Sequence, residues 1–394
     1  MMGKMAKETE VVVVGGGIIG SATAYYLARA GKDVVLMEKN ELASGSSGAN
    51  AGLTSTTWCP PGPLLQMSMA SLKEYDYFSQ ELAWDIEFER CGRFTVCETE
   101  QQFEEMKPFV EVRNKGGNSL RLIDRNELLE LEPNLSPSLF GAVFAPNDGH
   151  VNPLYAVYAF ADAARELGAK IYEYTEPVAI NAEHGCVKAI ATNKGEIKTK
   201  YIINACGIGA PVVSEMVGLK IPIIPNREQM LVSEEMPPIL NRVIINAGYM
   251  KDVQPTGLGD SAARKKSTQT VGTVCNQTKK GNLLLVGVND FVGEDERTTF
   301  ESFPAISEGI LRVLPILRTY DVQIIRSFAK FYIYTPDQKP ILGKVDGLEG
   351  FIMASGVNDY GICFGPIIGK LLSDLICIGE TTIPIDEFNL SRFG

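Results

Sequence analysis

Glu10-Val-Val-Val-Val-Gly15-Gly-Gly17-Ile-Ile-Gly20-Ser-Ala-Thr-Ala-Tyr-Tyr-Leu-Ala-Arg-Ala-Gly31-Lys-Asp-Val-Val-Leu-Met-Glu38 is the stretch that decides the fold. The β-branched run Val11 to Val14 predicts a strand buried on both faces of a parallel sheet. Helical apolar spacing over Ser21 to Ala30 follows, ending at Gly31, a natural C-terminal stop. A second strand, Asp33 to Met37, leads to Glu38. This is a complete strand–helix–strand unit for a dinucleotide. Gly15 permits the tight turn, Gly17 lets backbone approach a pyrophosphate, and Gly20 lets the helix pack on the strand. The helix start at Ile18 and Ile19 offers N–H donors and a positive dipole end to the phosphates. Glu38, with Lys39 beside it, lies where a carboxylate accepts hydrogen bonds from an adenosine ribose. A 2′-phosphate would be repelled there, so NADP is not expected.

Ala43-Ser44-Gly45-Ser46-Ser47-Gly48-Ala49-Asn50-Ala51-Gly52-Leu53 comes next, a run of small and hydroxyl residues. Such a run can line a large ligand with backbone N–H groups. It also has the composition of a flexible linker.

Composition bounds the rest. The 394 residues carry 37 Lys+Arg against 48 Asp+Glu, a net charge of −11, which argues against a nucleic-acid binder, whose affinity comes mainly from clustered basic charge. This length allows about two to three folding units with a large core. The eight cysteines form no C-x-x-C pair and read as buried apolar residues of a reducing compartment, so a cytoplasmic protein is expected. The sequence shows neither a signal-peptide pattern nor an apolar run long enough for a membrane span, and no metal-ligand cluster. The two histidines, His150 and His184, are too few for most zinc or triad chemistry.

The segment 43–53 resembles the second cofactor loop of the D-amino-acid-oxidase-like family of FAD-dependent oxidoreductases. Tyr201-Ile-Ile-Asn-Ala205-Cys-Gly207 resembles that family's strand and turn at the flavin, and Gly356-Val-Asn358-Asp-Tyr360-Gly361 its last glycine-rich flavin loop. Arg326 to Gly343 is similar to a signature near the substrate. The resemblance covers nearly the whole chain and is strongest to dehydrogenases of glycine, sarcosine and proline, including the FAD subunit of cyanide-forming glycine dehydrogenases. It implies an α/β (α+β) fold: a Rossmann-type FAD-binding domain with a second, mainly antiparallel-sheet substrate domain. It also implies FAD contacts at Ser44, Gly45, Ser46, Ser47, Ala51, Gly52, Leu53, Val178, Ala205, Gly207, Gly356, Asn358, Tyr360, Gly361 and Ile362, besides Gly15, Gly17, Ile18, Ile19, Gly20, Glu38 and Lys39.

The motif positions divide the chain into a discontinuous FAD-binding domain, 1–80, 150–220 and 325–394, and a substrate domain, 81–149 and 221–324. Asn152-Pro153 caps a helix over Leu154 to Leu167, and Glu183-His184-Gly185 reads as a hairpin turn. A helix is expected over Pro366 to Ile376, and strands over Arg227 to Ser233 and Gly281 to Gly287. Tyr249 to Cys275, polar and without apolar periodicity, reads as a long loop, a lid or partner contact as much as a surface excursion.

A flavin takes a hydride from the carbon beside a neutral amine, a step that needs orientation more than a base. Oxidising a hydroxy acid needs a positioned base, most often His. With His150 and His184 both in expected loops, the reading favours an amine or amino acid. In the family's pattern, Tyr332 stands where related oxidases carry a carboxylate-binding Arg, or a cysteine bonded to flavin. A noncovalent FAD is therefore expected. Cys363 stands where such enzymes supply a lysine. Tyr332, Tyr334, Tyr360 and Tyr249 are candidate pocket aromatics, and Lys330 a candidate anion or flavin partner. Arg227 and Arg326 read as interdomain ion-pairing residues first and substrate-carboxylate binders second, and Cys59, Cys275 and Cys363 as packing residues ahead of a redox role for Cys275 and Cys363. Two rival readings stay open: a 2-hydroxy-acid dehydrogenase on the same fold, and a flavin subunit active only with an electron-accepting or other partner chain.

Overall fold

Val11–Val14 forms β1, and none of its four side chains is more than 3 % exposed. Val11 and Val13 belong to one hydrophobic cluster, Val12 and Val14 to another on the opposite face, as a two-sided strand requires. The coordinates are a computed structural model that describes residues 5–81, 85–249 and 270–394. Helix α1 spans Ile18–Arg29, and β2 spans Val34–Met37, parallel to β1.

Among the described residues β1 sits inside a nine-stranded sheet. Its neighbours are β2 and Tyr201–Asn204, both parallel to it; Leu348–Ser355 runs parallel to Tyr201–Asn204, and Lys170–Tyr172 parallel to β2. α1 and the helices Pro153–Glu166 and Gly361–Cys377 contribute to one face of this sheet. A Cβ on Gly369 would lie 2.6 Å from the backbone of Ala22, and one on Gly365 would lie 2.4 Å from the Ile18 side chain. Glycine at both positions therefore lets Gly361–Cys377 approach α1 closely.

Gly361–Cys377 begins five residues before the start expected at Pro366 and carries that proline in its interior. Proline has no N–H to give the carbonyl four residues back. The Tyr75 hydroxyl donates to that Ile362 carbonyl instead, at 2.8 Å, which removes the usual objection to an internal proline.

Among the described residues the second sheet has eight strands, ordered Ile324–Tyr334, Ile224–Glu235, Asn282–Asp290, Thr270–Gln277, Val243–Asn246, Arg93–Cys97, Gly141–Ala145 and Arg121–Asp124. All neighbours are antiparallel except Val243–Asn246 with Arg93–Cys97. One face packs on Ser302–Val313 and Arg125–Leu131; the other carries Met230, Ile245, Tyr249, Val274 and Val286. The architecture is thus the mixed α/β one expected, a Rossmann-type part beside a mainly antiparallel sheet.

Three local expectations change. Ile324–Tyr334, placed in the cofactor part by the boundary at 325, is hydrogen-bonded along Ile224–Glu235 at the edge of the second sheet. Thr270–Gln277, the end of the expected loop, is a strand, because Val274 and Cys275 pair with Val286 and Leu285 and bury their side chains. Residues 250–269 of that loop lie outside the described residues. His150 is not in a loop: it pairs with Leu53 in a two-stranded ribbon and is 9 % exposed. His184 does occupy the exposed hairpin turn, at φ +51°.

Candidate functional site

Two cavities adjoin each other. The larger is a cleft of about 1200 Å³ along the C-terminal ends of β1 and its neighbours, where open α/β sheets bind ligands. Gly15, Gly17, Ile18, Ile19, Glu38, Lys39, Ser44, Gly45, Ser46, Ser47, Ala205, Gly207, Gly356, Asn358, Gly361 and Ile362 all line it. The sequence therefore brings residues from five separated segments onto one cleft.

Each glycine of the first turn has its own reason. Gly15 has φ +110°, and a Cβ there would sit 2.4 Å from the Ala205 carbonyl oxygen. On Gly20 a Cβ would lie 1.8 Å from the Gly15 carbonyl oxygen, so the helix crosses the turn with no room between. α1 has no capping side chain of its own; the Ser47 hydroxyl accepts a hydrogen bond from Ile18 N at 3.0 Å. The small-residue run is thus bound to the helix start, which rules out a free linker. The Glu38 carboxylate accepts from Gly16 N at 2.8 Å and Asn40 N at 2.9 Å, which fixes it at the cleft edge. A long cleft walled by glycine backbone and a helix N-terminus fits a flavin dinucleotide.

The smaller cavity, about 520 Å³, lies between the second sheet and residues 50–58. Its apolar walls are Ala51, Leu53, Trp58, Ile245, Val274 and Val286. Its polar groups are Asn50, Glu228, Tyr249, Lys330, Tyr332 and Asp359. Asn50, Tyr332 and Asp359 line both cavities and mark the junction.

Several site expectations change here. Ala51 and Leu53 line the smaller cavity, not the dinucleotide cleft, and Gly52 lines neither; its absent Cβ makes room for the Val151 carbonyl. Val178 is 56 % exposed on the strand Pro177–Glu183 and lines neither cavity. Tyr360 lines neither as well: it precedes the last long helix and is buried with its ring stacked on Phe364 at 4.8 Å, a core residue. Tyr334 is also buried, its hydroxyl donating to Asp359 at 2.7 Å. Arg227 does form an ion pair, but within the second sheet: its guanidinium meets both oxygens of Asp290, at 2.8 and 2.7 Å. Arg326 lies exposed over the Phe328 ring. Cys59, Cys275 and Cys363 are buried, and burial pushes the Cys275 and Cys363 thiols up to about 12.

Glu228 was not singled out from the sequence, and it organises the smaller cavity. It is 1 % exposed; Lys330 stands directly across from it on the neighbouring strand and is 4 % exposed. Lys330 Nζ lies 2.9 Å from Glu228 Oε2 and 4.5 Å from the Tyr332 ring centroid. The Tyr249 hydroxyl donates to Glu228 Oε1 at 2.7 Å and accepts from Asn289. Burial, with Glu228 as the next cause, holds the Tyr249 and Tyr332 phenols well above their ordinary range. Both remain protonated donors rather than bases. The only sequence signal for Glu228 was a carboxylate just ahead of the apolar run Met230 to Val232.

His150 lines neither cavity. Burial lowers its pKa from 6.5, with Glu89 and Glu87 opposing in part. Below pH 6.5 the unfolded chain therefore binds the proton that the folded chain refuses. The stability held above 6.5 declines as pH falls toward the lowered folded value. A His150→Gln variant should gain melting temperature relative to the parent between about pH 7.5 and about pH 5.5. A constant difference across that range would show that His150 carries no such linkage.

The fold and the glycine cleft define a dinucleotide-binding flavoprotein. The model of the family described as FAD dependent oxidoreductase (DAO) matches residues 10–375, and the chain belongs to that family. The chain is 29% identical over 398 residues to the mouse (Mus musculus) mitochondrial dimethylglycine dehydrogenase, covering 98% of this chain but 44% of that protein. It thus spans less than half the length of that relative. Glycine oxidase of Geobacillus kaustophilus is 25% identical over 98% of both chains. The crystal structure of L-proline dehydrogenase from P. horikoshii superposes with a TM-score of 0.88 at 27% identity, over 99% of this chain and 98% of that one. No helix among the described residues is long and apolar enough to cross a membrane.

Proposed function

We propose that this chain oxidises a small amino acid or secondary amine, of the glycine, sarcosine, proline or hydroxyproline type, to the imine. One observation carries the reading: the dinucleotide cleft opens at Asn50, Tyr332 and Asp359 into a small, largely apolar cavity that holds both signs of charge and no histidine. FAD, when bound, supplies the hydride acceptor. The chain's own residues do the rest. Leu53, Trp58, Ile245, Val274 and Val286 exclude water around the reacting carbon, which favours orientation over solvation. Tyr332 stands at the junction as a protonated donor, Tyr249 fixes Glu228, and Lys330 supplies positive charge for an anionic substrate group. Tyr332 offers no sulfur for a covalent link, and FAD is held noncovalently.

The missing histidine base favours this reading over a 2-hydroxy-acid dehydrogenase. Anaerobic mixing of the FAD-loaded protein with glycine, sarcosine, proline, hydroxyproline, lactate and glycolate tests it. The amines should bleach the flavin band and the hydroxy acids should not. Bleaching by lactate or glycolate alone would sink the proposal.

A further inference from the structure

Glu228 presents an unusual imbalance. Its Oε1 is served by the Tyr249 hydroxyl at 2.7 Å, with Asn289 Nδ2 at 3.4 Å. Its Oε2 is buried on the cavity wall and receives no hydrogen bond from the described residues; Lys330 Nζ lies 2.9 Å away but off the hydrogen-bonding direction. Buried carboxylate oxygens are normally satisfied, because each missing donor leaves its desolvation uncompensated. Lys330 brings three donors to the same wall, and Glu228 is its ion-pair partner among the described residues. Among the described residues the charged lining groups are Glu228, Asp359 and Lys330, which together sum to 1 − 2 = −1. Such a wall favours a cationic nitrogen, while its single lysine marks one place for an anion.

We propose that the Glu228–Lys330 pair is a receptor for the two charges of an α-amino acid: Glu228 Oε2 accepts a hydrogen bond from the substrate nitrogen, and Lys330 binds the substrate carboxylate. This rests on the amine-oxidation reading above and narrows it to zwitterionic substrates. The pair is a direct cross-strand couple between Ile224–Glu235 and Ile324–Tyr334, so both charges are held on sheet backbone rather than on a loop. Tyr249 holds one carboxylate oxygen and leaves the other for ligand. The Tyr332 ring beneath Lys330 Nζ holds the ammonium at the cavity junction. A ligand that carries both charges engages both partners and binds more tightly than a fragment that carries one of them, which is how paired polar groups give specificity. Glu228 is thus a specificity-determining residue.

The test uses FAD-loaded protein and two probes that divide sarcosine: acetate for its carboxylate and dimethylamine for its nitrogen. Binding is read by isothermal titration and by perturbation of the flavin absorbance, without turnover. Lys330→Met should weaken acetate by about 10- to 100-fold and leave dimethylamine within about threefold. Glu228→Gln should do the reverse. Equal losses of both probes in both variants, or no loss in either, would overturn the receptor. Should a single variant fail to hold FAD because it leaves one buried charge uncompensated, the double variant Glu228→Gln, Lys330→Met removes both charges together. With its flavin band intact it should lose both probes, and retention of either overturns the proposal. If the parent protein binds both probes and no amine reduces its flavin, the amine-oxidation reading fails while the receptor stands.

Discussion

Gly15→Ala is expected to give a chain without flavin absorbance and with a markedly lowered melting temperature. Two effects add at this position. The backbone holds φ +110°, which an L-residue adopts only at a cost. The new methyl would also lie 2.4 Å from the carbonyl oxygen and 2.7 Å from the carbonyl carbon of Ala205, both backbone atoms of the adjoining Tyr201–Asn204 strand end. Neither can step aside without moving a strand hydrogen-bonded to β1. Together the penalties reach about 3–5 kcal/mol, and they fall on the turn that meets the dinucleotide. Gly31→Ala separates the two causes. It shares a positive φ, +80°, but has no atom of the described residues within 4 Å of its added carbon. It should cost only about 1–2 kcal/mol and keep its flavin. Parental flavin content in Gly15→Ala, measured by visible absorbance after desalting, would contradict this account.

Asp148→Ala should be the more damaging half of a buried pair. Asp148 is fully buried and collects hydrogen bonds from the Ser55 hydroxyl, Thr56 N, the Thr56 hydroxyl and the Thr57 hydroxyl, at 2.7 to 3.0 Å. It is also the counter-ion of Arg93, 3.4 Å away and 1 % exposed. The Arg93 guanidinium makes no hydrogen bond among the described residues, and it lies 5.1 Å from the Trp58 ring centroid. Removing Asp148 therefore leaves a buried cation with only an aromatic face, and frees the segment that carries Trp58 into the smaller cavity. A loss of about 3–5 kcal/mol is expected, enough to leave little folded protein. Arg93→Met should be far milder, because Asp148 keeps all four donors and methionine fills much of the space. Urea denaturation of both variants measures the asymmetry; equal losses would show that the pair's charges do not matter separately.

What could be read from the chain alone follows from how locally each feature is encoded. The Gly15–Gly20 turn, its helix and Glu38 lie within one strand–helix–strand unit, so the cofactor cleft was legible. The Asn152 cap was too, its side chain accepting from Tyr155 N three residues on. Glu228 and Lys330 were not legible as a pair. They meet only through the register of two strands about a hundred positions apart, and no local pattern encodes that register. Asp148 escaped notice for the same reason, since its hydroxyl donors lie more than ninety positions upstream. Tyr360 and Val178 went wrong differently. A family motif places a residue along the chain but does not fix which way its side chain turns. Here one ring is taken by Phe364 and one side chain faces solvent.

The placement of β1 bears on how the molecule is made. During synthesis β1 precedes its parallel neighbour Tyr201–Asn204 by some 190 residues, at ordinary elongation rates a delay of roughly ten seconds or more. Throughout that interval an all-valine strand waits with one edge unpaired, a segment well suited to joining another nascent chain. Gly361–Cys377, which closes the helical face over α1, arrives later still. Because Gly356 and Ile362 help line the cofactor cleft, holding chaperones are expected to raise the yield of yellow protein more than extra cofactor in the medium does.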